Sequence, residues 1–453
     1  MASIPAEIFK AYDVRACTDL LTPDAAYLIG RALGAEARAQ GQSRIVVGRD
    51  GRLSSPALAA ALIRGLRASG LDVLELGLVA TPMMYFAAIR HAGGCGAVVT
   101  GSHSPADYNG IKIMLAGVTI GDRKLKGLYE RIVGEDFVAG KGTVTPLEID
   151  AEYRDEIVRT QALARPLKVV IDCGNGAPGA FAPALYRALG CEVIALFCDV
   201  NGHFPNHHPD PQVEKNVAEL KRVVLDTGAD AGLAFDGDGD RVAAITPAGH
   251  YIAGDKMLML FATAELAKHP GGHVLCDVKS TGALASWVRE HGGTSEIIAT
   301  GHTHMKRRMK ETGAVVAGEL SGHFAFGAWG LDDGLFAGVK LLQMIADGQN
   351  LDDALSSLPT RLSTPELQLP IAGDGHAAVA RIVAAARFPS ALDVISVDGL
   401  RIEYADGFGL IRASNTTPVL TLRIEADNRE GVLRIRDELA AALAPLPFPD
   451  FTL

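Results

Sequence analysis

RIVVGRDGRLSSPALAAALIRGLRASGLDVLELGLVATP, residues 44–82, reads as strand, helix, strand. The outer parts are short apolar runs that end in Gly, Asp or Thr-Pro, and the middle is an Ala/Leu-rich stretch of helical composition. CGAVVTGSHSP (95–105) adds another strand of the same kind. Strands that read as continuous apolar runs are buried on both faces, which predicts a parallel or mixed sheet covered by helices. Loops that bind ligands are then expected at the carboxyl ends of the strands.

The same rhythm recurs along the chain. After a charged, irregular stretch near 134–150, LKVVIDCGNGAPG (167–179) opens a second unit that runs through CEVIALFCDV and ADAGLAFDGDGDR. A third runs from GGHVLCDVKST (271–281) through TSEIIATGHTH to GAVVAGELSGHFAF (313–326). Beyond about 362 the character changes: residues 391–427 alternate like an antiparallel sheet, and REGVLRIRDELAAALA (429–444) reads as a helix. The expectation is three related α/β domains, 1–147, 148–248 and 249–362, followed by a smaller α+β domain, 363–453.

A chain of 453 residues is ample for several cores, and its 48% hydrophobic and 21% charged composition is that of a folded protein. A net charge of −10 argues against nucleic acid or an anionic membrane as partner, because both reward a basic face. It leaves room for a local basic pocket that takes a phosphorylated small molecule. No apolar run reaches the roughly 18 residues of a membrane span, and MASIPAEIFKAYDVRA has no signal-like core, so a cytoplasmic protein is expected. The six cysteines form no C-x-x-C pair and read as small buried hydrophobes of a reducing compartment, not a disulfide framework or zinc site.

Several loops carry chemistry. TGSHSPADYNGIK (100–112) sets Ser102 beside His103, with Lys112 nine residues after that histidine. No G-x-S-x-G elbow surrounds the serine. Adjacent side chains on an extended chain point apart, so His103 is not expected to act as its base. DGDGDR (236–241) spaces Asp236, Asp238 and Asp240 with glycines, which allow a turn tight enough for three carboxylates to meet on one hard cation. It is not an EF-hand, since position 6 would be Arg241 and position 12 Pro247. Mg²⁺ suits an all-oxygen set that serves phosphate chemistry.

GELSGH (318–323) offers Glu319, Ser321 and His323 at alternate positions, a set suited to sugar hydroxyls if the loop is extended. RASNTTP (412–418) offers Arg412, Ser414, Asn415 and Thr416 with loop N–H groups, as a phosphate dianion requires. Arg15, Arg49 and Arg52 lie near predicted strand ends, where each alone reads as a solvated charge or structural ion pair. His302 and His304 in TGHTH lack a third ligand at metal spacing. Any one of these loops is also compatible with an ordinary polar turn.

Taken in order, the motifs resemble those of the α-D-phosphohexomutase family, in particular its phosphomannomutase/phosphoglucomutase group. TGSHSP resembles the family's active-serine loop, DGDGDR its metal loop, GELSGH its sugar loop and RASNTTP its phosphate loop; AYDVR and YNGIK match as well. The resemblance spans nearly the whole chain. It implies four domains around a central active-site cleft, the last domain small and mobile. It also implies a reversible exchange of hexose 1-phosphate and hexose 6-phosphate, of glucose or mannose, through phosphoserine at Ser102 and a hexose 1,6-bisphosphate.

Residue by residue, the resemblance implies that Mg²⁺ is held by Asp236, Asp238, Asp240 and a phosphoryl oxygen on Ser102. Arg15, Lys112 and His103 lie near the transferring group, and His302 joins Lys112 as an acid/base candidate. Tyr12, Arg241, Lys279, Glu319, Ser321, His323, Arg412, Ser414, Asn415 and Thr416 bind substrate. Glucose 1,6-bisphosphate is the implied activator, the phosphosugar the only implied partner, and the chain a monomer. Departures from the family pattern are Lys10 and Ala16 around AYDVR, and Ser104 in SHSP. Leu320 in the sugar loop disfavours phosphoglucosamine mutase, the nearest alternative. A phosphatase acting on its own phosphoserine and a non-catalytic phosphosugar-binding protein are the others.

Overall fold

The computed structural model describes residues 4–414 and 419–452. The chain divides into two compact units, Met1–Gly254 with Ser321–Leu355, and Asp255–Leu320 with Ser356–Leu453.

The first unit holds two sheets. In one, the order is Val14–Cys17, Tyr108–Leu115, Gly96–Val99, Arg44–Arg49, Asp72–Leu78 and Val144–Pro146. Arg44–Arg49 is parallel to both neighbours, and Tyr108–Leu115 runs antiparallel to both of its own, so the sheet is mixed. Val46, Val47, Val98 and Val99 are buried, as strands covered on both faces require. The helices Pro23–Ala39 and Ser55–Ala68 pack on each other, and their apolar sides enter the core with Ile45, Val47 and Ala97.

The second sheet has the order Tyr251–Ile252, Val242–Ile245, Ala231–Phe235, Lys168–Asp172 and Glu192–Leu196. Its last three strands are parallel, so Asp172 and the loop after Phe235 emerge at the same edge. The returning segment Ser321–Leu355 supplies the helix Gly334–Ala346, which packs against Ala231–Phe235 and Val242–Ile245. Its N-cap, Asp333, accepts from Phe336 N–H at 3.0 Å and also from the buried Tyr153 hydroxyl at 2.7 Å.

In the second unit, His273–Asp277 lies between Thr294–Ile298 and Val316–Gly318, parallel to both. The last sheet is antiparallel, in the order Leu362–Ser363, Val419–Ala426, Gly407–Ala413, Leu400–Tyr404 and Asp393–Ile395. The helices Gly375–Ala385 and Arg429–Leu443 pack on it, the first of them not anticipated from the sequence. This sheet is fastened to the loop after Asp277. Arg401, buried, donates to the Val278 and Ser280 carbonyls at 2.7 and 2.6 Å, and Glu425 accepts from the Thr281 hydroxyl and Gly282 N–H at 2.9 Å each. No helix among the described residues is long and apolar enough to cross a membrane.

Candidate active site

Ser102 sits just beyond the strand Gly96–Val99, at φ +49°, in the left-handed region that a serine adopts at a cost. This turn overrides the alternation expected of an extended chain. It brings His103 Nδ1 to 3.2 Å from Ser102 Oγ, so the expectation that the two side chains point apart is corrected. The serine is 1% exposed, and its hydroxyl donates to Asp236 Oδ2 at 2.6 Å.

The loop is held by Arg52, read from the sequence as an ordinary charge, together with Asp50 and Arg15. Arg52, itself buried, donates to the Ser102 and Ser104 carbonyls at 2.7 and 2.6 Å and to the Tyr108 carbonyl at 3.0 Å. Asp50 pairs with Arg52 at 3.2 Å and accepts from Gly101 N–H at 3.1 Å. Arg15 reaches the Gly101 carbonyl and Ser104 Oγ at 3.2 and 3.0 Å and pairs with Asp13. Arg49 instead donates to the Asp50 carbonyl at 3.2 Å.

Asp236, Asp238 and Asp240 are fully buried, and one oxygen from each lies within 4.8 Å of the others. Gly239, at φ +79°, makes the turn between them. Gly237 is there for proximity, since a Cβ on it would lie 2.4 Å from the Ser102 carbonyl oxygen. Burial, with Asp238 and Asp240 adding to it, pushes the Asp236 carboxyl well up. Lys112 answers part of this charge by donating to Asp238 at 2.8 Å and pairing with Asp240. Burial opposes its ammonium, but Asp238, Asp240 and Asp236 outweigh that and hold the lysine above its ordinary value. The three carboxylates thus favour the charged form of Lys112.

His103 goes the other way. Burial first, then the neighbouring cations Arg241, Arg15 and Lys112, hold it well below the usual imidazole range, so it is neutral. Thr81 donates to Asp238 at 2.6 Å, while Asp238 Oδ1 is buried with no partner among the described residues. A tight all-carboxylate set with such an orphaned oxygen fits a hard divalent cation.

Arg241 donates its N–H to Asp236 at 3.2 Å and pairs by a β-bridge with His323, whose Nε2 is 3.3 Å from Asp240. Ser321 Oγ lies 3.0 Å from His323 Nδ1. That pairing does not come from the extended loop the sequence suggested, because Gly322 turns there at φ +86°. Asp332, missed in the sequence, brings a carboxylate within 4.8 Å of the Asp240 and His323 ligand atoms. Tyr12 lies partly exposed in the turn before Val14–Cys17.

In the second unit two aspartates that the motifs did not include tie the sugar loop and Arg412 to Thr300. Asp277 accepts from Leu320 N–H, Ser280 and Thr300 at 3.1, 2.7 and 3.0 Å. Asp398 pairs with Arg412 at 3.0 Å and accepts from Thr300 N–H at 3.1 Å. Glu319 accepts from Gly301 N–H at 2.8 Å, immediately before the buried His302. Lys279 pairs with Glu366 at 3.1 Å, and Ser414 N–H donates to the Val419 carbonyl at 2.9 Å. Asn415 and Thr416 lie outside the described residues.

Comparison with known proteins decides the family. Four profiles described as phosphoglucomutase/phosphomannomutase alpha/beta/alpha domains I, II and III and C-terminal domain match residues 6–139, 151–249, 253–362 and 366–442. The chain belongs to the phosphoglucomutase/phosphomannomutase family.

Among family members, the phosphoglucomutase of Neisseria meningitidis is 49% identical over 99% of both chains. The phosphomannomutase/phosphoglucomutase of Pseudomonas aeruginosa is 44% identical over 99% of this chain and 98% of its own. A crystal structure of a phosphoglucomutase/phosphomannomutase family protein from Burkholderia thailandensis superposes with a TM-score of 0.93, at 45% identity, covering 98% of this chain and all 100% of its own. This phosphohexomutase is a hexose-phosphate mutase, an isomerase by class. The fold class and family expected from the motifs are those found.

Proposed function

We propose that the chain interconverts the 1- and 6-phosphates of glucose and mannose, with Ser102 as the phosphoryl carrier. The observation that carries this reading is Ser102 Oγ itself, 1% exposed and 2.6 Å from Asp236, beside a lysine-neutralised carboxylate triad. A phosphoryl carrier needs charge neutralisation around its phosphate, and this cluster supports that role. When bound, Mg²⁺ held by Asp236, Asp238, Asp240 and a phosphoryl oxygen supplies part of that neutralisation.

Lys112 and Arg15 supply the rest from the protein. In the forward direction the Ser102 Oγ–P bond breaks as a bond forms from phosphorus to the O6 of a hexose 1-phosphate. The resulting 1,6-bisphosphate reorients, and Ser102 Oγ takes the phosphoryl group from O1, leaving the 6-phosphate. His103, neutral and 3.2 Å from Oγ, exchanges the serine proton in the second transfer. His302 is assigned to the sugar hydroxyl proton. Glu319, Ser321 and His323, with Tyr12, Arg241 and Lys279, hold the sugar, and Arg412, Ser414, Asn415 and Thr416 take the phosphate that is not reacting. Glucose 1,6-bisphosphate rephosphorylates enzyme that has lost its phosphate. Domain limits at 147, 248 and 362, a cytoplasmic location and a monomeric state belong to the same proposal.

A coupled assay with glucose 1-phosphate and a trace of glucose 1,6-bisphosphate should yield glucose 6-phosphate. Release of inorganic phosphate in its place would overturn the reading. Intact-protein mass spectrometry should find one phosphoryl group, absent from Ser102→Ala; labelling that persists in that variant would show another carrier. Mg²⁺ should raise the thermal midpoint, because it binds the folded triad and not the unfolded chain. The rise should vanish in Asp238→Asn.

A further inference from the structure

Cys173 and Cys198 stand 25 positions apart, yet their Sγ atoms are 3.6 Å from each other. The strands Lys168–Asp172 and Glu192–Leu196 are parallel, with Asp172 opposite Leu196. A regular continuation would put Cys173 opposite Phe197 and send Cys198 to the other face. Phe197 instead turns at φ +49°, and Cys198 comes round to meet Cys173. Cys173 is fully buried, whereas Cys198 is partly exposed. No bond joins the two sulfurs.

We propose that Cys173 and Cys198 are an oxidisable pair, closed to a disulfide by a hydroperoxide, and that closure slows phosphoryl transfer. Cys198 is the one the oxidant reaches. Its thiolate sulfur attacks the peroxide oxygen, which forms a sulfenic acid and releases water from hydrogen peroxide or an alcohol from an organic hydroperoxide. The sulfur of Cys173 then displaces the hydroxyl, which leaves as water, and the S–S bond forms. Two thiols lose two electrons and two protons, and the peroxide takes up both. Cys173, buried 3.6 Å away, is placed for the second step by geometry, and its proton leaves with the displaced hydroxyl as water.

The consequence for transfer follows from how the two segments are laced. Asn175 N–H donates to the Phe197 carbonyl at 2.7 Å, its side chain to the Asp199 carbonyl at 2.9 Å, and Asn201 N–H to the Asn175 carbonyl at 2.9 Å. The same loop presses on the metal loop. A Cβ on Gly176 would lie 2.7 Å from Gly237 Cα, and Ala177 N–H donates to the Gly237 carbonyl at 2.9 Å. Gly237 separates Asp236 from Asp238 and lies against Ser102. A disulfide needs about 2.05 Å between sulfurs, so the 3.6 Å pair must close by roughly 1.6 Å. Gly176 packs on Gly237, so any backbone shift that accompanies closure is passed to the segment that aims two of the three carboxylates. Cysteine pairs that cycle between thiol and disulfide in a reducing compartment are sensors rather than staples.

The test treats the full-length phosphorylated protein with hydrogen peroxide, alkylates remaining thiols and maps linked peptides. The expected product is a Cys173–Cys198 linkage, with activity reduced on the order of tenfold, as displaced reacting groups predict. Dithiothreitol should restore both. Cys198→Ser and Cys198→Ala should start at wild-type activity and keep it under peroxide. Absence of that linkage, a linkage with unchanged activity, or equal inactivation of either variant would overturn the proposal.

Discussion

Arg52 holds four backbone carbonyls of the serine loop, those of Ser102, Ser104, Pro105 and Tyr108, at 2.5 to 3.0 Å, and its guanidinium also lies over the ring of Phe204 at 4.9 Å. A planar fork can serve several acceptors fixed in space, whereas an ammonium on a flexible stem cannot reproduce that geometry. Arg52→Lys keeps the charge but frees Ser102 from the conformation it holds at φ +49°. Steady-state kinetics should show kcat reduced on the order of a hundredfold with KM nearly unchanged, since the loop aims the phosphoryl group rather than binding the sugar. A proportional rise in KM would place Arg52 in substrate binding instead. The motif GRDGR gave no hint of this, because the carbonyls that Arg52 serves lie around 50 positions away.

At the scale of elements, one device recurs that lies outside the motifs. The strands IVVGR, KVVID and HVLCD each end at or next to an aspartate, namely Asp50, Asp172 and Asp277. Each accepts from a backbone N–H of a nearby loop: Gly101, Gly174 and Leu320 at 3.1, 2.9 and 3.1 Å. The apolar runs made the strands legible, and the spacing of DGDGDR made its convergence legible. The supporting aspartates were visible as letters only. Their partners lie across loops whose course depends on single left-handed residues such as Ser102, Phe197 and Gly322, which composition does not announce.

Asp172 also faces His207, with Nε2 at 3.1 Å from both carboxylate oxygens. Burial opposes the imidazolium, but Asp172 outweighs it and raises the histidine above its ordinary value. A raised folded value means the protonated histidine stabilises the protein below about 6.5, and this is lost as pH rises through the folded value. His207→Gln should therefore lower the thermal midpoint more at pH 6 than at pH 9. An equal deficit at both would assign His207 a packing role alone.

Across the whole molecule, each compact unit contains one of the chain's two tryptophans: Trp329 in the first and Trp287 in the second. The second unit depends on Arg401, which lies over Phe408 at 3.7 Å, pairs with Glu403 at 2.5 Å and caps the Val278 and Ser280 carbonyls. Truncating one member of such a buried set leaves the others unpaired. Arg401→Ala should destabilise this unit by roughly 3–5 kcal/mol. Urea unfolding followed by Trp287 fluorescence in a Trp329→Phe background checks it, and a midpoint unmoved from the Trp329→Phe parent would refute it. The last domain was read from sequence as small and mobile; its attachment was hidden because Arg401 and Glu425 look like ordinary strand charges.

The first unit is discontinuous in the chain, ending at Gly254 and resuming at Ser321. His323, which meets Asp240 at 3.3 Å, and the helix Gly334–Ala346 both belong to the late portion. During synthesis at roughly 5–20 residues per second, the ribosome spends on the order of ten seconds on the stretch in between. For that interval a nascent chain displays the apolar surfaces of Ala231–Phe235 and Val242–Ile245 without their cover. That is the window in which a chaperone would find this protein, and a chain that stalls before residue 321 would remain in it.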